Sequence, residues 1–78
     1  MTLIATFYSH FGAIRFKRIC DAMQWDARVM PVPRDLSSSC GTCVRFCGVC
    51  PERPPQEVEQ IVEVVDSGYR TLYRAEHS

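Results

Sequence analysis

The sequence lacks an excess of either charge: nine Lys and Arg residues are matched by nine Asp and Glu, for a formal net charge of +0. That balance argues against the basic face with which a general nucleic-acid binder or membrane-surface protein grips phosphates. Long hydrophobic runs are also missing, since no stretch approaches the roughly 20 apolar residues needed to cross a bilayer. Met1 to Tyr8 has no positive n-region, and its apolar run is too short for a signal h-region. A soluble cytoplasmic protein is expected, with no nucleic-acid or membrane partner. Internal repeats and linkers are absent, and 78 residues leave room for one domain. A domain of that size buries only about 60–65% of the surface its unfolded chain exposes, so a metal, a cross-link or a second subunit is a natural supplement.

What the chain has in quantity is cysteine, five in 78 residues. In a cytosolic protein such density points to metal binding or thiol chemistry, because the compartment keeps structural thiols reduced. The odd count also suits a disulfide framework poorly.

Leu3-Ile4-Ala5-Thr6-Phe7-Tyr8 is apolar on both parities, as in a strand buried on two faces. Ser9 is a helix N-cap, and Ala13, Phe16, Ile19, Cys20 and Met23 form one apolar stripe, so a helix is expected from about Ser9 to Gln24. Cys20 on that stripe reads as a buried core thiol. Ala27-Arg28-Val29-Met30 alternates as a strand, and Pro31 and Pro33 confine it to a sheet edge. Thr42-Cys43-Val44-Arg45-Phe46 alternates as a third strand. Cys47 to Pro55 is irregular. Val58, Ile61, Val62 and Val65 then fall at i, i+3, i+4 and i+7 behind Pro55, which predicts a second helix ending at Ser67-Gly68. Tyr69 to Arg74 alternates as a last strand, and a loose tail is expected from Ala75 to Ser78. The order βαββαβ predicts an α+β, ferredoxin-like two-layer sandwich, with a four-stranded antiparallel sheet and two helices on one face. The open edge of its last strand allows a homodimer.

Cys40, Cys43, Cys47 and Cys50 form two Cys-x2-Cys pairs within eleven residues. Three chemistries compete for them. All four thiolates can hold Zn²⁺ or an iron–sulfur cluster. An extended third strand opposes this, because Cys43 and Cys47 would lie about 13 Å apart at ~3.3 Å per residue. Alternatively each pair acts separately, as a redox dithiol or half a metal site. In the third reading Cys40 is a nucleophile that carries sulfur or selenium as a persulfide or selenosulfide. Ser38 and Ser39 precede it with their hydroxyls, Gly41 lets the backbone approach closely, and Arg34 supplies positive charge.

Pro31-Val32-Pro33-Arg34-Asp35-Leu36-Ser37-Ser38-Ser39-Cys40-Gly41, followed by Val44-Arg45-Phe46, resembles the selenium/sulfur (Se/S) carrier protein-like family. The likeness extends to Thr6-Phe7-x-Ser9, to Ala13-Ile14 and to the aromatic-rich last strand. The resemblance implies a single carrier-like domain over 1–78, with Cys40-Gly41 as the carrier site and Cys47 to Pro54 as a Cys- and Pro-rich insertion. It further implies sulfur or selenium delivery between donor and acceptor proteins, as a carrier or accessory protein more than a stand-alone enzyme. Cys43 is then the expected resolving thiol, and a Zn²⁺ or iron–sulfur module on Cys40, Cys43, Cys47 and Cys50 is the alternative.

Overall fold

The computed structural model describes residues 1–76; the last two residues of the expected loose tail lie outside the described residues. Its elements are β1 (Thr2–Phe7), α1 (His10–Ala22), β2 (Asp26–Pro31), β3 (Thr42–Cys47), β4 (Val58–Val65) and β5 (Gly68–Arg74). The strands form one antiparallel sheet in the order β2-β3-β1-β4-β5. β1 is central, and Leu3, Ile4, Ala5, Thr6 and Phe7 are all buried, as residues pointing alternately to two covered faces must be.

One face is covered by α1. Ser9 caps it in extended geometry, its Oγ accepting the Gly12 N–H at 3.2 Å. Ala13, Phe16 and Cys20 turn inward onto Leu3, Ala5, Phe7, Val44, Phe46, Val58 and Ile61. Ile19 and Met23, expected on the same stripe, stay largely exposed. Aromatic rings tie the layers together: Phe16 lies 5.5 Å from Phe7 and 5.2 Å from Phe46, and Trp25 stacks on Phe46 at 5.7 Å. The other face carries a smaller cluster of Ile4, Cys43 and Val62, roofed by Val32 and Leu36 from the segment between β2 and β3. That segment is therefore a second layer of the domain.

The ferredoxin-like expectation is overturned: the sheet has five strands and α1 is the one helix among the described residues. Val58 to Val65 is a strand, not a second helix. Five of its eight residues, Val58, Ile61, Val62, Val64 and Val65, are β-branched, which favours a pleated surface over a helix. The misleading period comes from a register shift: Phe7 pairs with Val58 and Thr6 with Gln60, leaving Glu59 as an extra residue. Val58 and Ile61 thus share the helix-side face three residues apart, while Val62 and Val64 pack on the other. Asp66-Ser67 is a hairpin turn into Gly68, whose φ of +141° only glycine adopts readily. β2 and β5 occupy the two edges, as the prolines required of β2. The tail continues far enough for the Ala75 N–H to reach the Glu59 carbonyl at 2.9 Å.

Gly48 lies directly under the Trp25 indole, where an added Cβ would overlap the ring. Gly48→Ala is expected to displace Trp25 from Phe46 and destabilise the domain by about 1–3 kcal/mol. Trp25 is the single tryptophan, so its emission spectrum and a urea titration report both effects.

Candidate functional site

The segment from Val32 to Gly41 leaves β2 and returns to β3 across the sheet face opposite α1. Its base is closed by the Val32 N–H donating to the Gly41 carbonyl at 3.0 Å, and a tight turn forms where the Leu36 N–H meets the Pro33 carbonyl at 3.0 Å. Val32 and Leu36 anchor it by burial. Tyr69 on β5 fixes the turn by donating its hydroxyl to Asp35 at 3.0 Å.

The serine stretch is held from β4. Gln60 donates its side-chain amide to the Ser37 carbonyl at 2.9 Å. The Glu59 carboxylate accepts from the Ser39 N–H at 3.2 Å, from the Ser39 hydroxyl, and from the buried Thr6 hydroxyl at 3.1 Å. The residue that breaks the β1–β4 register is thus the clamp that positions the residue before Cys40. Neither Glu59 nor Gln60 was legible as a site residue, because the same letters read as the polar face of a helix.

Cys40 is half-buried and packs against the helix-side core, with its thiol aimed at the Thr42 carbonyl 3.5 Å away. Gly41 follows at φ +76°, with open space where a Cβ would stand. Thr42 meets His10, the first residue of α1, through Oγ1···Nδ1 at 3.2 Å. The Cys-Gly segment therefore sits near the N-terminal end of α1, whose first turn has no acidic residue to offset its positive dipole end. Ser38 has a buried hydroxyl without a hydrogen-bond partner among the described residues. Arg34, expected to support an anion at Cys40, is exposed on the turn and takes part in no ion pair among the described residues.

The four clustered cysteines are free thiols and are not brought together. Strand alternation puts Cys43 on the face away from α1, paired with Thr6 and Met30, and Cys47 on that same face beside Thr2 and Asp26. Cys40 and Cys50 pack instead against the helix-side core. Each Cys-x2-Cys pair is split between the two faces, and no three His, Cys, Asp or Glu side chains among the described residues are grouped to hold a metal ion. The donor set proposed for zinc or an iron–sulfur cluster thus does not fit one site in this arrangement. Cys43 is fully buried, and its thiol is pushed up to about 11, first by burial and then by Cys40 nearby, with Arg45 acting in the opposite sense. Burial also raises the thiols of Cys50 and, to about 11, of Cys20 in the core. A neutral buried thiol is a poor nucleophile.

The domain is thus an antiparallel sheet with the Cys-Gly loop strapped across one face and ending near the N-terminus of α1. The Putative Se/S carrier protein-like family matches residues 2–74, and the chain belongs to that family. No curated protein and no solved structure matches it. No helix among the described residues is long and apolar enough to cross a membrane.

Two outcomes follow from the site. Glu59→Ala leaves the buried Thr6 hydroxyl without its acceptor and is expected to cost about 1–3 kcal/mol. It should also raise amide exchange at Ser39 relative to the β1 core, measured by hydrogen exchange. Because the Cys20 and Cys43 thiols titrate higher in the fold than in the unfolded chain, the stability they confer is complete below pH ~8.5 and lost toward pH 11. Thermal melts from pH 7 to 11 should show a falling transition, and Cys43→Ala should flatten that dependence.

Proposed function

We propose that the protein is a cytoplasmic carrier that holds sulfur or selenium on Cys40, as a persulfide or selenosulfide, between a donor protein and an acceptor enzyme. The observation that carries this reading is the position of Cys40: a half-buried thiol beside a glycine with open space, two residues before Thr42, which meets the first residue of α1, within a family-matching chain. In loading, the Cys40 thiolate attacks the terminal sulfur of a donor persulfide. The new S–S bond forms on Cys40, the donor's own S–S bond breaks, and its electron pair leaves with the donor thiolate, so no external oxidant is consumed. Transfer to an acceptor thiolate repeats the exchange in the other direction. A selenosulfide donor follows the same course with selenium as the transferred atom.

Partial burial of Cys40 limits its contact with water and small thiols. Cys43, the resolving thiol in this scheme, is kept protonated under the loop. Resolution would release the cargo as hydrosulfide and leave a Cys40–Cys43 disulfide; with the two thiols on opposite faces of the sheet and Cys43 buried, the cargo is retained in this arrangement.

Incubation with a persulfidated donor protein under anaerobic conditions, followed by intact-mass measurement and peptide mapping, tests the assignment. One added sulfur on Cys40 is expected, lost in Cys40→Ser and kept in Cys43→Ser. Equal loading of Cys40→Ser would remove Cys40 from the mechanism.

A further inference from the structure

On the sheet face away from α1, Arg28 of β2 and Arg45 of β3 are direct cross-strand partners. Both are exposed, and neither joins an ion pair among the described residues. Like charges placed opposite one another, with Cβ atoms roughly 4.5–5.5 Å apart, weaken a strand pair, so folding gives no reason for them. The adjacent pair on that face is Asp26 with Cys47. These four side chains and Met30 border an open groove of about 400 Å³. The Cys47 thiol is exposed, and it stands two residues from Arg45, about 6.6 Å along the strand. Asp26 is the one acidic residue lining the groove, against two guanidinium groups.

We infer that this groove is a second sulfur-entry site, separate from Cys40. Arg28 and Arg45 bind a small dianion bearing a transferable sulfane sulfur, of the thiosulfate class, and Cys47 receives that sulfur. The Cys47 thiol gives its proton to solvent, and the thiolate attacks the outer sulfur of the dianion. An S–S bond forms to Cys47, the bond between the outer sulfur and the sulfonate sulfur breaks, and its electron pair departs with sulfite. Persulfide and sulfite are the only products, so neither oxidant nor reductant is needed. The paired guanidinium forks suit an oxyanion, and they face the negative charge that accumulates on the leaving sulfite. The open groove lets sulfite escape. Asp26 opposes dianion entry and sets an upper limit on its affinity.

The inference stands on the groove and on Cys47, and is independent of a protein donor loading Cys40. Its test uses the reduced full chain with sodium thiosulfate under anaerobic conditions, following released sulfite and mapping the added sulfur by peptide mass. Sulfur on Cys47 with matching sulfite release is expected, abolished in Cys47→Ser and competed by sulfate. Arg28→Gln and Arg45→Gln should each slow the reaction roughly fivefold, the effect of one exposed charge at close range. Asp26→Asn should accelerate it, a change that damage to the fold would not produce. Sulfur mapping to Cys40 in place of Cys47, no transfer at all, or rates indifferent to both arginines would overturn the inference. Loading of Cys40 from a persulfidated protein in the Cys47→Ser variant is a separate readout, so failure of one site is not mistaken for failure of the other.

Discussion

A small domain with a strand buried on both faces must find two covers, and β1 imposes that demand on the rest of the chain. Leu3, Ala5 and Phe7 point to one side, and Ile4 and Thr6 to the other. One amphipathic helix supplies the first cover. The second comes from a loop, whose Val32 and Leu36 roof Ile4, Cys43 and Val62. A loop used as a layer has to be held by more than two apolar contacts, which accounts for the number of polar anchors from Glu59, Gln60 and Tyr69. The segment that leads to Cys40 is consequently ordered by the same contacts that complete the core.

This arrangement links thiol chemistry to packing. Thr6 is buried beneath the loop and has the Glu59 carboxylate as its acceptor, and that carboxylate also fixes Ser39. A buried hydroxyl, a register shift and the residue preceding Cys40 are thus joined through one side chain. The two sides of the sheet also separate the thiols by chemical character. Cys43 is sealed and protonated, Cys40 is partly shielded against the helix-side core, and Cys47 is open beside two arginines.

Much of this was legible in the sequence wherever local rules decide structure. Apolar residues on both parities marked β1, Ser9 marked the cap of α1, and the prolines marked β2 as an edge. The alternation of Thr42, Val44 and Phe46 against Cys43 and Arg45 matches the faces of β3. The second helix failed because an extra residue in a strand shifts its alternation by one, and across Glu59 that shift imitates a helical stripe. Five β-branched residues in eight were the competing signal. The Cys-Gly loop was recognisable from its own motif. Its anchors were not, since Ser39 and Glu59 are 20 residues apart and Thr6 and Glu59 are 53 apart. Contacts of that separation leave no local period to read.

The extra residue at Glu59 serves the loop and not the ladder. Val58 on one side of it and Gln60 on the other belong to opposite phases of the pleat, with Val58 facing α1 and Gln60 reaching the loop. Loss of the Glu59 codon would make Val58 and Gln60 neighbours on opposite faces of a regular strand, so the ladder would close unchanged and the carboxylate that holds Thr6 and Ser39 would be gone. The bulge is thus dispensable to the strand pairing of β1 with β4 and indispensable to the clamp on the loop.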